Sequence, residues 1–192
     1  MVINNSKKTE FTPHFSEKSA GFTLVEILVA MVIFSIIIGA ALEVFVTGIK
    51  SQRRIFAQQE LLDQTSYALE YMSRAIRMTK KDLTATCLSQ PNLNYELTHS
   101  GEGIKFKNYN GECQEFYLEN NQLRENKNGS VFALTSTSTI PRINSFEFVV
   151  SGQEQDDNLQ PAVTVFWKME GRDQVGSQIQ TTISQRNFDV SY

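Results

Sequence analysis

Twenty-one residues, Phe22 to Leu42, contain a single charged side chain, Glu26, and this run constrains what the rest of the chain can do. As a helix it would be about 31 Å long, the thickness of one bilayer core. The segment can therefore span a membrane. An acid inside such a span costs about 2.5 to 3.5 kcal/mol at the bilayer centre on insertion scales, so Glu26 asks for a partner. If the chain were cut after Gly21, the new ammonium of Phe22 would lie about one helical turn from Glu26, or against Glu26 of a neighbouring copy.

Met1 to Gly21 is polar, with Lys7, Lys8 and Lys18 against Glu10 and Glu17, and Pro13 interrupts any helix. It reads as a cytoplasmic leader that stands outside the fold. The competing reading is a secretory signal peptide with Ile27 to Ile38 as its apolar region and cleavage near Gly39-Ala40-Ala41. The length of the uncharged run and the acid at its entrance weigh against that. Charge alone does not orient the span, because Lys50, Arg53 and Arg54 follow it as the three lysines precede it.

No proline occurs between Pro13 and Pro91, and beyond the span the apolar pattern becomes amphipathic. Ile55, Leu62, Leu69 and Ile76 recur at heptad spacing, with Leu61, Ala68, Met72 and Ala75 beside them, which predicts one helix from Phe22 to Lys81, about 90 Å long. The stripe is expected to be the core face of a soluble domain. A coiled-coil seam fits less well, since Gln58 and Thr65 hold its second position. Gly39 and Gly48 mark a bend, a close-packing point or a place where the helix loosens.

From Asp82 to Tyr192 short alternating runs replace the helical period. Strands are expected at 104–108, 113–119, 122–125, 131–134, 143–151, 162–169 and 178–185. Turns are expected at Asn120-Asn121 and at Lys127-Asn128-Gly129. They form an antiparallel sheet with one face on the helix stripe. The fold class is α+β, with segments 1–21, 22–48, 49–81 and 82–192 as leader, span, amphipathic helix and extracytoplasmic domain. Phe146, Phe148, Phe166 and Trp167 are expected in the core.

Cys87 and Cys113 both follow the span, which fits one disulfide in an oxidising compartment. Closing their loop of about 25 residues stabilises by about 3 to 4 kcal/mol in the chain-entropy model. Metal binding is the weaker alternative, because no further Cys or His stands at ligand spacing. His99 reads as a solvated loop residue. Eighteen Lys and Arg against 21 Asp and Glu give a net charge of −3, which argues against a general nucleic-acid binder. Lys50, Arg53 and Arg54 face lipid phosphates, acids on another subunit, or solvent. No nucleophile with a base, paired catalytic carboxylates or phosphate-binding glycine loop can be read; no enzyme activity and no cofactor are expected.

Gly21-Phe22-Thr23-Leu24-Val25-Glu26 and the apolar run behind them resemble the N-terminal signature of type IV pilins and pseudopilins. The resemblance is close from Gly21 to about Leu42 and looser along the rest of the helix. It implies cleavage after Gly21 by prepilin peptidase, methylation of the Phe22 amine, and burial of the helix in a filament core. Glu26 then matches the acid that assists subunit recruitment by neutralising a neighbour's terminal amine. The motif also puts the leader in the cytoplasm and residues after about Gly48 outside.

The ending Thr181 to Asn187 resembles the last strand of larger minor pilins. The expected role is a minor pilin or pseudopilin working with prepilin peptidase, other subunits, the inner-membrane assembly platform and lipid. A pilus, a type II secretion filament and a DNA-uptake filament all stay open. Some pseudopilins bind calcium in acidic loops, but Glu154, Asp156, Asp157 and Asn158 match no calcium-loop spacing and read as a solvated turn. From another class, the chain is a single-pass anchor for a binding or adhesion domain that does not polymerise.

Overall fold

The computed structural model describes residues 21–135, 142–154 and 159–186, without the side chain of Gln174. The Met1 to Ala20 leader, Asp156 to Asn158 and Asn187 lie outside that range. The chain divides into two compact units, Met1–Thr47 and Gly48–Tyr192. The element order is a helix, α1 (Leu24–Arg77), then β1 (Tyr95–Thr98), β2 (Gly103–Lys107), β3 (Cys113–Glu119), β4 (Gln122–Lys127), β5 (Ser130–Ala133), β6 (Arg142–Ser151), β7 (Ala162–Glu170) and β8 (Gly176–Ser184).

Helix α1 runs for 54 residues, through Gly39 and Gly48 without interruption. It stops at Arg77 rather than Lys81 because groups from the β-domain capture its last carbonyls. The Tyr95 hydroxyl donates to the Ile76 carbonyl at 2.8 Å, and the Arg186 N–H donates to the Arg77 carbonyl at 2.8 Å. The Lys80 N–H then bonds the Lys107 carbonyl at 2.9 Å, which commits the chain to extended geometry. Arg74 and Arg77 occupy the last turn, where cations favour the negative end of the helix dipole.

The buried row of α1 is Ala57, Leu61, Thr65, Ala68, Met72 and Ile76. Leu61, Ala68, Met72 and Ile76 of the expected stripe are in it, but the row is shifted from the heptad line: Ile55 is 51% and Leu62 43% exposed, and Leu69 is only partly covered. The heptad reading followed the largest side chains, whereas the buried row also takes the small Ala57 and the polar Thr65. Thr65, read as a polar interruption, lies in the core. Its hydroxyl donates to the Leu61 carbonyl at 2.6 Å and lies 3.3 Å from the Met169 sulfur, so burial leaves no unmet donor.

Two antiparallel sheets stand where one was expected. The first is a meander in the order β1-β2-β3-β4-β5, and the second is β6-β7-β8. β1 was missed because Tyr95 to Thr98 is too short to show a period. Both expected tight turns form. Asn120 and Asn121 (φ 53° and 61°) and Asn128 and Gly129 (φ 51° and 86°) take the left-handed pairs that match the strand twist of two-residue hairpins. At the start of β2, a Cβ on Gly103 would fall 2.3 Å from the Thr98 hydroxyl, so only glycine lets β1 and β2 close there.

In β7 the pleat buries Val163, Val165, Trp167 and Met169, and sends Phe166 to the other face, half-covered. Phe166 therefore leaves the expected core set, since neighbours along a strand cannot share a face. In β6 an irregularity in pairing between Ile143 and Ser145 changes the parity, so Ile143, Phe146 and Phe148 all face inward. Phe146 meets Phe148 and Trp167 edge-on, with centroids 4.8 Å and 5.3 Å away. These side chains, the α1 row, and Tyr95, Ile104, Phe106, Phe116 and Leu123 of the first sheet form one cluster.

The rotation of the buried row is measurable. Leu61→Ala is expected to lower stability by about 2 to 5 kcal/mol, and Leu62→Ala by no more than about 0.5 kcal/mol. Denaturant titration of the full chain in detergent, read by fluorescence of the single buried Trp167, checks it; equal effects would restore the heptad face.

Candidate functional site

The helix start is built from the residues of the motif. Gly21, Phe22 and Thr23 precede α1, and Thr23 caps it. The Thr23 hydroxyl accepts the Glu26 N–H at 3.2 Å, and the Thr23 carbonyl accepts the N–H groups of Glu26 and Ile27 at 3.1 and 3.2 Å. Threonine followed three residues later by glutamate is capping-box spacing, which satisfies otherwise orphaned N–H groups. Glu26 sits in the first turn, where a carboxylate favours the positive end of the dipole. Phe22, Ile27, Ala30, Met31 and Phe34 line an apolar concave face with Glu26 at its start.

Every residue from Gly21 to Phe56 is exposed within the chain, and the best 18-residue window has a mean hydropathy of 2.7 with none of it buried. An apolar surface of this extent is not left to water. Its backbone bonds are internal to the helix, so an apolar medium can cover it at no hydrogen-bonding cost. Lipid or packed helices are the two such media. In either, Glu26 is the only charge among residues 22–42, and it lies near the position where cleavage after Gly21 would create an amine.

The second cluster, missed by sequence reasoning, is centred on Asp82 in the loop after α1. Its carboxylate is fully buried. Oδ2 accepts the N–H groups of Cys87 and Leu88 at 2.6 and 3.0 Å, and Oδ1 accepts the Thr86 hydroxyl at 3.0 Å and faces Lys107 Nζ at 3.3 Å. Burial pushes its pKa up, but the hydrogen bonds from Leu88, Cys87 and Thr86 outweigh that and hold it well below the usual carboxylate range. Cys87 and Cys113 are joined as a disulfide with Cα atoms 5.3 Å apart, so the same loop is tied to β3. One ion and one covalent bond thus fix how the chain leaves the helix. The donors Thr86, Cys87 and Leu88 follow Asp82 by four to six residues, a local loop that the sequence reading passed over, and only Lys107 is brought in by the fold.

A third polar cluster links α1 to the first sheet. Tyr71 donates to Glu125 at 2.9 Å, and Gln114 donates to the same buried carboxylate at 2.6 Å. Burial and this carboxylate push the Tyr71 phenol up to about 12. His99 is exposed, stacked on Tyr117 with ring centroids 4.6 Å apart, and its Nδ1 lies 3.5 Å from Glu115. Lys50, Arg53 and Arg54 are exposed and share a cleft with Asp173. Of the expected acidic loop only Glu154 is within the described residues. Among those residues no three His, Cys, Asp or Glu side chains stand close enough to hold a metal.

An uncovered apolar helix with one acid in its first turn, followed by an amphipathic half that carries antiparallel sheets, is an α+β layout consistent with a pilin-like fold, and the apolar helix fits a membrane anchor. The family model of the prokaryotic N-terminal methylation motif matches residues 17–42, and that motif supports a type IV pilin-like protein. The match covers the leader end, Gly21, Phe22, Glu26 and the apolar run, and does not separate minor from major subunits. No curated protein matches the chain. No solved structure matches it either. The family is structural, and its motif implies processing by prepilin peptidase and assembly with other pilins.

Asp82 yields a pH signature. Its depressed folded pKa means that its stabilisation is fully present above the unfolded value of about 3.9 and is lost as the pH falls from there through the folded value. Asp82→Asn is expected to cost about 2 to 3 kcal/mol at neutral pH. It should also flatten the loss of stability between about pH 5 and pH 2. Thermal unfolding of both chains across that range checks it; parallel curves would remove Asp82 as the acid-sensitive group.

Proposed function

We propose that the chain is a minor pilin or pseudopilin, a structural and assembly subunit of a type IV pilus-like or type II secretion filament. In this reading prepilin peptidase removes residues 1–21 and the new Phe22 amine is methylated. Residues 22–48 hold the subunit in the cytoplasmic membrane, with the β-domain from residue 82 outside it. The assembly platform then moves the helix from lipid into the filament beside other pilin subunits. The observation that carries this is the bare apolar helix with Glu26 capped into its first turn.

The chemistry is non-covalent. Helix burial in the filament replaces lipid contacts one apolar medium for another, so the transfer has little solvation cost. Specificity then falls to Glu26, the charge next to the new amine. Pairing Glu26 with the Phe22 amine of a neighbour removes two charges that would each be costly alone in an apolar core. The large β-domain and the resemblance of Thr181 to Asn187 to a minor-pilin last strand support the low-copy role.

Mass spectrometry of the N-terminal peptide from native membranes is expected to find a chain that begins at Phe22 and carries one added methyl. A chain that begins at Met1 would instead support a plain membrane anchor for a binding or adhesion domain, and one that begins near Leu42 a secreted domain. Separately, Glu26→Val is expected to insert into membranes normally and to be depleted at least about tenfold from sheared filaments, a loss of about 1.4 kcal/mol or more in incorporation. Wild-type abundance of the variant in those filaments would refute the role given to Glu26.

A further inference from the structure

We propose that Lys50, Arg53, Arg54 and Asp173 form a binding site for a phospholipid headgroup, with the phosphate held by the three cations and the pendant amine or hydroxyl by the carboxylate. The site rests on the membrane-anchor reading above, and its test is separable from that reading.

Lys50, Arg53 and Arg54 stand at helical spacing i, i+3 and i+4, which puts them on one face of α1. All three are exposed, and among the described residues none is in an ion pair. The fourth member comes from the other end of the chain. The connection between β7 and β8 packs on the helix at Gly171, where an added Cβ would lie 3.7 Å from both the Ala57 carbonyl and the Leu61 side chain. That contact carries the turn Arg172–Gln174 to the helix, and Asp173 joins the cations around a cleft of about 530 Å³. The volume is that of a small-molecule site.

Position and charge both select a headgroup. The apolar segment, interrupted after Leu42 by Glu43 alone, ends at Ile49, and the cations begin at Lys50. Helical side chains lean towards the N-terminus, so these three lean back towards the apolar segment, and their long stems let the charges reach an interface. Guanidinium forks match phosphate oxygens in paired hydrogen bonds. Three cations alone would suit any anion. Asp173 changes that: it repels a simple acidic surface and favours an anion that carries its own donor, which describes phosphatidylethanolamine and phosphatidylglycerol. Phosphatidylcholine has the phosphate but no donor on its amine. A subunit held this way keeps its headgroup contact while in the membrane and gives it up on entering a filament.

The full chain in detergent, titrated with each of the three lipids and read by native mass spectrometry, tests the site. One ethanolamine or glycerol lipid is expected to be retained per chain, with weaker retention of the choline lipid. Each cation near an anionic surface contributes roughly fivefold, so Arg53→Gln with Arg54→Gln is expected to weaken retention about thirtyfold. Asp173→Asn is expected to abolish the preference for ethanolamine over choline lipid. Trp167 fluorescence melts confirm that the variants fold.

Equal retention by the wild type and the double variant would overturn the site. So would full displacement of the lipid by millimolar inorganic phosphate, which would make this a free-anion site. A double variant that keeps lipid but is lost from filaments would reassign the cations to an acid on another subunit. Resistance of the wild-type chain to alkaline extraction from membranes tests the anchor by itself, since binding in detergent does not depend on it.

Discussion

The β-domain depends on one row of six residues along the second half of α1. Ala57, Leu61, Ala68, Met72 and Ile76 join residues of both sheets in one apolar cluster, with Thr65 buried in the same row, and each sheet without it would expose an apolar face. Small residues at two positions let the sheets come close, and Thr65 turns its hydroxyl back to its own helix to be buried. The apolar residues of the first half, Leu24 to Ile49, have no such cover within the chain. One helix therefore serves two media, a protein core and an apolar environment supplied from outside.

A chain that must leave a long helix and begin a sheet needs its exit fixed, because the helix end has carbonyls to satisfy and the loop has N–H groups to place. Tyr95, Arg186 and Gln185 supply the donors for the carbonyls of Ile76, Arg77 and Thr79. Asp82 supplies the acceptors for the loop, and the disulfide closes it onto β3. The residues just after β8 thus reach back to the end of the helix, and the domain closes on residues more than a hundred positions apart in sequence.

Electrostatics divides along the same line. Among residues 22–42 a single acid, Glu26, stands without an internal cation, and the matched methylation motif surrounds it. In the domain the buried carboxylates of Asp82 and Glu125 are satisfied within the chain, by loop N–H groups in one case and by Tyr71 and Gln114 in the other. The satisfied acids stabilise the domain, whereas no hydrogen bond or ion pair engages the Glu26 carboxylate among the described residues.

The sequence by itself determined the features carried by continuous local pattern. These are the apolar run with its lone Glu26, the long helix, most of the strands, and the left-handed Asn and Asn-Gly turns, each set by residue type at neighbouring positions. Only the tertiary structure decided which helix face is buried, that the strands divide into two sheets, that β6 shifts parity near Asn144, and that Phe166 turns outward. Size and hydrophobicity rank Leu62 with Leu61, and only the approach of the sheets separates them. The same holds for Asp173 beside Lys50, Arg53 and Arg54 and for Lys107 beside Asp82: these partners are distant in the chain, and contact between distant residues is a property of packing that no local spacing encodes.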